Sequence, residues 1–457
     1  MNLFEEATGL DKAGRYDEAE KLYDMLLSQN HDNAGLLATM GVLYLRKQKY
    51  GLAISLFHRA LLKDPKHSEV LSNLGLAYKN SGQIEKCHEY LALACEGNPT
   101  AEVLSNYAGI FTQTGNPGKA QELCERALAK NPDIAIAHWN LSLALLESGQ
   151  WERAWEEHEW GLKKVANTTS MRVDREIGKV PYWDGTPGKT VAVYGEQGLG
   201  DEIMFASMLQ DLMKTNTVIL ECHKRLKHLF ELNFPGVPIY GTREDHAISW
   251  PFDHEIDYRV SIGSLGKFYR KTKESFPGTP YLKAEPAPRG KKFRVGISWT
   301  GGQKASRVQV RTVPLSWWKA ILCNDCEFIS LQYTDCAEEI SATEKQGYSV
   351  KQFPEIKSDD YYETAKLVAS CDLVISVCTS VIHLAGALGV PCWVMVPDKP
   401  AWRYGAKGPI PWYSSVRLYR QNRNDSWIPV VEKIAFDLRD LLEDLEEVDG
   451  PALIRAA

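Results

Sequence analysis

The first 165 residues repeat themselves, and an internal repeat restricts a fold more tightly than any local signal in this chain. Gly41, Tyr44, Ala53, Phe57, Ala60 and Pro65 return 34 residues later as Gly75, Tyr78, Cys87, Leu91, Ala94 and Pro99. They return again, one residue short of that period, as Ala108, Phe111, Ala120, Cys124, Ala127 and Pro132. Ala7, Leu10, Ala19 and Tyr23 fit a preceding unit, and Ser142, Leu145, Ala154 and Gly161 fit a decayed fifth one. Small residues let two helices cross closely, aromatics fill the gaps, and proline stops the second helix. No unit of this kind buries its apolar face alone, so the pattern predicts five stacked helical hairpins with one continuous core and a curved groove.

The spacing is similar to that of tetratricopeptide (TPR) arrays, and the resemblance implies that the groove holds a polypeptide; the alternative is that the array is a structural spacer. Asn73, Asn106 and Asn140 recur at intervals of 33 and 34 residues and are the candidate groove side chains. Asparagines at matching positions suit either an extended peptide backbone or a neighbouring helix. Trp151, Trp155 and Trp160 fall along about one helical face and read as core that seals the array against the next domain. The stretch from Val165 to Lys189, with Trp183-Asp-Gly185 and Pro187, reads as a linker.

Beyond Lys189 the pattern changes. The run Val191 to Met213 is a short apolar segment, a glycine-rich turn carrying acids, and then an amphipathic helix. That order presents backbone N–H groups and a carboxylate beyond the end of a strand. The turn lacks the third glycine of a dinucleotide fingerprint, and its acid falls inside the turn, so it does not read as a dinucleotide site. Candidate strands are Val191–Tyr194, Val218–Cys222 and Tyr258–Ser261, then a Pro- and Lys-rich break at Glu285–Lys292. A second series follows at Val295–Trp299, Glu327–Gln332, Leu373–Val377 and Cys392–Val396. Strands alternating with helical patterns predict parallel sheets, and the restart predicts two Rossmann-like domains with a cleft between them. The expected organisation is α followed by α/β: array 1–165, linker 166–189, domains 190–288 and 289–415, and a helical segment 416–457.

Bulk properties exclude several classes. Hydrophobic content of 44%, charged content of 25% and a net charge of −6 describe an ordinary globular chain with no general affinity for nucleic acid or anionic membranes. The acidic N-terminus lacks the apolar run of a signal peptide, and no apolar stretch approaches the ~18 residues of a membrane span. Ten scattered cysteines read as reduced thiols, so a cytoplasmic location is expected. Cys323 and Cys326 have CxxC spacing, but no second pair or nearby histidine completes a metal site, and none is expected.

Five motifs in order resemble the catalytic half of bacterial TPR-bearing glycosyltransferases related to the ADP-heptose heptosyltransferases. They are Gly195–Glu202 (GEQGLGDE), Val295–Gly302 (VGISWTGG), Arg311–Leu315 (RTVPL), Ser330–Tyr333 (SLQY) and Ser376–Pro397, the last followed by Asp398-Lys-Pro-Ala-Trp-Arg-Tyr404. The resemblance implies a GT-B fold and inverting, metal-independent transfer from a nucleotide sugar, with no further cofactor. It implies a polypeptide acceptor, flagellin-like in some relatives. A lipid-linked or polysaccharide acceptor, or a non-catalytic scaffold with a nucleotide-binding half, are the alternatives.

The resemblance also implies roles for single residues. Asp201, in the loop with Gly195, Gly198 and Gly200, matches the catalytic aspartate that takes the acceptor proton; the bland alternative is a helix cap. Glu196 is the second carboxylate in reach. Thr379 and Ser380 stand between a strand and a helix, where N–H groups favour a donor phosphate, or else they only cap that helix. His383 matches a donor-side histidine, or is a buried structural one. Arg311 occupies the family's basic position and suits a bidentate phosphate contact, against a surface ion pair. Lys304 and Arg307 are weaker alternatives. Arg403 suits a phosphate contact or a domain-closing ion pair. Trp299 and Gln332 are expected at strand ends flanking the nucleoside, and Trp402 either there or in lid packing. The family's Asp-Thr-Gly is Cys378-Thr379-Ser380 here, so heptose specificity does not carry over.

Overall fold

The computed structural model describes residues 2–163, 172–301, 308–423 and 425–447. It divides into two compact units, residues 1–145 with 157–171, and residues 146–156 with 172–457. Among the described residues no helix is long and apolar enough to cross a membrane.

Ten helices make up the repeats: α1 Leu3–Lys12, α2 Tyr16–Gln29, α3 Ala34–Arg46, α4 Tyr50–Leu61, α5 Ser68–Asn80, α6 Ile84–Ala94, α7 Ala101–Gln113, α8 Pro117–Lys130, α9 Ala135–Glu147 and α10 Trp151–His158. The turn inside each hairpin needs one residue in the left-handed region. Gly14, Gln48, Gly82, Gly115 and Gly149 supply it, with φ of 76°, 57°, 82°, 73° and 76°. Glycine takes that conformation without a Cβ clash, and Gln48 takes it at some cost. The second helix of the middle hairpins buries Ala53, Cys87 and Ala120 completely, so the small residues of the pattern sit where helices cross. Asn33, Thr100 and Asn116 cap α3, α7 and α8 through their side chains.

The second unit holds two parallel sheets. The first has the order β3-β2-β1-β4, from β1 Thr190–Tyr194, β2 Thr217–Glu221, β3 Ile239–Tyr240 and β4 Tyr258–Ser261. The second has the order β6-β5-β7-β8-β9, from β5 Arg294–Ser298, β6 Glu327–Ser330, β7 Leu373–Val377, β8 Cys392–Val396 and β9 Val416–Arg420. The helices among them are α11 Leu199–Ala206, α12 Leu209–Met213, α13 Lys227–Asn233, α14 Gly266–Tyr269, α15 Val308–Arg311, α16 Lys319–Leu322, α17 Ala337–Glu344, α18 Tyr361–Ala369, α19 Ser380–Leu388 and α20 Ile428–Glu447. Strand β7 is buried at every residue, which is why it reads as an unbroken apolar run. Val430, Val431, Ile434 and Leu438 of α20 join Val295, Ile297 and Trp299 in one core. The strand order reverses between β1 and β4 and between β5 and β7, and crevices for ligands open at such switch points.

Three expectations need correction. Residues 416–420 are not part of a terminal helical segment: β9 pairs in parallel with β8 along its length, and the helix starts at Ile428. The described part of the 166–189 stretch is no free linker. Arg172 and Arg175 reach Glu196 and Glu221, Asp174 pairs with Arg259, and the Trp183 ring packs 4.5 Å from Phe268, so the segment straps the first sheet. The tryptophan stripe also divides. Helix α10 ends at His158 and a 3-10 turn follows at Glu159–Leu162, so helical spacing does not extend to Trp160. Trp160 stacks on His138 at 3.8 Å. Trp151 and Trp155 belong with the second unit, where Trp155 lies 6.0 Å from Trp402 and donates its indole N–H to the Arg270 carbonyl at 2.7 Å.

Candidate functional site

A cleft of about 480 Å³ opens in the second unit, lined by residues that follow strands of both sheets. Its walls begin with two helix starts. Gly198 is the N-cap of α11 and Thr379 the N-cap of α19, and neither helix has a side-chain cap hydrogen bond. Both first turns line the cleft, through Leu199 and Gly200 on one side and Ser380 on the other. Gly200 permits this approach: a Cβ there would stand 2.9 Å from His383 and 3.2 Å from the Ser380 Cα. Two sets of backbone N–H groups at helix starts therefore meet in one place, an arrangement that favours anions. Four arginines (Arg225, Arg243, Arg311 and Arg403) line the same cleft against two carboxylates, Asp201 and Glu244.

Asp201 lies in the first turn of α11, after the cap, and its carboxylate is ion-paired to the Arg403 guanidinium. The cap itself is Gly198, so the helix-cap reading of Asp201 does not hold. Arg403 belongs to the 3-10 turn Trp402–Tyr404 beyond β8, so the pair bridges the two α/β halves. Trp402 is part of an aromatic cluster, stacked 6.4 Å from Phe205, which is the packing alternative for that residue.

Arg311, at the end of α15, donates to the Cys378 carbonyl at 2.8 Å and to the Gly301 carbonyl at 3.0 Å. It thereby ties the loop after β5 to the loop after β7. Thr379 Oγ1 is 3.2 Å from Ser376 Oγ, and Ser380 Oγ accepts from the Tyr361 hydroxyl at 3.0 Å. His383 is buried one turn into α19 and shares a hydrogen bond with the Tyr413 hydroxyl at 3.2 Å. Burial, and then the Arg403 charge, hold its imidazole well below the ordinary range, so it stands neutral. Burial pushes the Cys378 thiol up to about 11, so this residue offers no thiolate to the cleft.

Other candidates lie elsewhere. Glu196 is 5% exposed and spent: Arg172 Nε and Nη2 donate to its two oxygens at 2.7 and 2.8 Å, and the Gly263 N–H adds a third contact at 3.1 Å. A carboxylate saturated in this way has no room for a substrate hydroxyl. Trp299 is fully buried core, with its indole N–H on Glu339 at 3.0 Å. Gln332 is 2% exposed and accepts from Ser298, Trp299 and Thr300, so it fastens the loop after β5 rather than facing the cleft. Gly195 donates its N–H to the Glu221 carbonyl at 2.8 Å. Lys304 and Arg307 fall outside the described residues. In the repeats, Asn106 donates to Ser72 at 3.2 Å and the buried Asn140 to the Ser105 carbonyl at 3.2 Å, so both join neighbouring helices. Asn73 lines a concavity of about 310 Å³, with Gly35, Ala38 and Thr39 of α3.

Sequence reasoning missed Arg225, Arg243 and the buried Glu202. Glu202 pairs with Arg243 at 2.6 Å and accepts the His223 N–H at 2.9 Å. Burial, incompletely offset by Arg243, raises its carboxyl to about 7. The available signal was position: Arg225 and Arg243 follow β2 and β3 by three or four residues, at the edge where α/β sheets take ligands.

The tetratricopeptide repeat family profile matches residues 38–86 and 111–157, so the helical hairpins are TPR repeats. Along most of its length the chain is similar to Protein FlbA of Caulobacter vibrioides, 28% identical over 95% of this chain and 83% of that one. It is similar in part to the probable UDP-N-acetylglucosamine–peptide N-acetylglucosaminyltransferase SPINDLY of Hordeum vulgare, 28% identical over 32% of this chain and 16% of that protein. Among solved structures, pilF of Pseudomonas aeruginosa is 19% identical with a TM-score of 0.32, covering 35% of this chain and 72% of its own. MamA is 20% identical with a TM-score of 0.30, covering 34% and 91%.

Proposed function

We propose that the protein is an inverting, metal-independent glycosyltransferase of GT-B architecture, which moves a sugar from a nucleotide donor to a polypeptide held by its TPR groove. The observation that carries this reading is the convergence of Asp201, Arg311, Arg403 and the two uncapped helix starts on one cleft. The donor's phosphates lie against the first turn of α19, where Arg311 and the N–H groups meet their charge. The acceptor hydroxyl comes from the α11 side. Its oxygen forms the new bond to the anomeric carbon while its proton passes to the Asp201 carboxylate. The anomeric carbon–phosphate oxygen bond breaks, and its electron pair leaves on the phosphate. The partial likeness to a plant peptide N-acetylglucosaminyltransferase supports a polypeptide acceptor.

Titration calorimetry with a panel of nucleotide sugars, on wild type and Arg311→Ala, is the first test. Binding of one donor that Arg311→Ala weakens supports the reading. Intact-mass analysis of polypeptides from the source cell, after incubation with that donor, then looks for a sugar-sized increment that Asp201→Asn fails to add. If no nucleotide sugar binds and Asp201→Asn leaves every measured activity unchanged, the reading is wrong.

A further inference from the structure

The Asp201–Arg403 pair raises a difficulty for the reaction just described. A carboxylate held by a guanidinium has the oxygen needed for the acceptor proton already engaged. The surroundings indicate how the pair opens. Both side chains are 18% exposed and line the cleft, so a ligand reaches them. The Arg403 Nε–H is buried and has no hydrogen-bond partner among the described residues, so this guanidinium is incompletely satisfied where it stands. Its backbone is anchored on both sides: Trp402 packs against Phe205 and Trp155, and the Tyr404 carbonyl accepts from Arg420 at 2.6 Å. Any exchange of partner is therefore a rotation of the side chain. Thr379, Ser380 and Arg311 line the same cleft, where an anion is stabilised by helix α19.

Resting on the glycosyltransferase reading, we infer that Arg403 is a positioning residue shared between Asp201 and the donor phosphate. Without donor, the Arg403 guanidinium occupies the Asp201 carboxylate where an acceptor hydroxyl would meet it. A phosphate bound at the start of α19 offers more negative charge and a bidentate geometry, and draws the guanidinium across. Asp201 is then released to take the proton of the acceptor hydroxyl. The donor has to bind before the base is competent, and binding is ordered, donor first.

Calorimetric titration of the full chain with inorganic pyrophosphate, and with ADP, CDP, GDP and UDP, tests the exchange. Removing the competing carboxylate in Asp201→Asn is expected to tighten binding about 2- to 5-fold, the upper part of the range of an exposed ion pair. Arg403→Ala is expected to weaken it about 10-fold or more. The gain from Asp201→Asn disappears in the Arg403→Ala background, because the two residues then act through one contact. A gain that persists there marks simple charge repulsion and overturns the inference, as does an unchanged affinity in Asp201→Asn. Either result leaves the glycosyltransferase reading standing if Arg311→Ala still weakens binding. If neither arginine variant alters binding, both fall. Arg403→Lys, which keeps the charge but loses the fork, guards against misfolding and is expected to fall between wild type and Arg403→Ala.

Discussion

The two sheets share a design and use it in opposite ways. Each has a switch point bridged by an arginine, Arg172 between β1 and β4, and Arg311 between β5 and β7. Arg172 is 1% exposed and meets a carboxylate: it forks onto Glu196 and also bonds Ser261 and Ser264. Arg311 is half-buried, lines the cleft, and donates to two backbone carbonyls. The first crevice is thus filled by the chain's own strap, while the second remains open to an anion. Similar topology does not make two equivalent ligand sites, because the occupant of a switch point is decided by which side chain arrives there.

The sharpest way to break this comparison is to remove the two arginines separately. Arg172→Ala leaves Glu196 buried and uncompensated, and is expected to cost about 3–5 kcal/mol of stability in a denaturant titration. Arg311→Ala is expected to cost about 1 kcal/mol, the scale of a carbonyl hydrogen bond, while weakening pyrophosphate binding roughly 10- to 100-fold in calorimetry. Equal destabilisation by the two would erase the distinction between a filled crevice and an open one.

Glu202 sharpens the contrast within the first half. Its carboxyl is raised, to about 7, because burial outweighs Arg243. The native state then holds its proton to higher pH than the unfolded chain does. Stability from this group is greatest below about pH 4.5 and falls as pH rises towards 7. Thermal unfolding between pH 5 and 8 should show wild type losing roughly 1–3 kcal/mol relative to Glu202→Gln, which has no proton to lose. A parallel pH dependence in the two proteins would mean that Arg243 fully compensates the charge.

The smallest effect extends the comparison to the repeats. Asn140→Ala removes a buried bond to the next helix and should cost about 1 kcal/mol, while Asn73→Ala, in the concavity, should leave stability within about 0.5 kcal/mol. Chemical denaturation of each variant distinguishes the two, and an equal cost would show that Asn73 also serves helix packing.

Much of the architecture was legible because it is written in periodicity. The five hairpins follow from a 34-residue spacing, and β7 from an unbroken apolar run. Strand β9 was lost because Val416-Arg-Leu-Tyr-Arg420 carries the alternation of a sheet edge, with two arginines that hide it among loop residues. Strand β3 is two residues long and below any pattern threshold. At the site, Asp201 and Thr379 were legible because a strand, a turn and a helix start fix where they lie. Glu196 was misjudged because its partner, Arg172, is 24 residues away in what reads as a linker.

Local chemistry alone determined the repeats, the strand–turn–helix units and the positions from which side chains reach a switch point, since each depends on neighbours within a few turns or one strand. Which carboxylate is buried away from the cleft and which lines it was decided only by the tertiary structure. Glu196 and Asp201 lie only five residues apart, yet one is closed by Arg172 from the strap and the other is paired to Arg403 from beyond β8. Ion pairs follow distance in space, and no spacing in the sequence encodes a contact made across 202 residues.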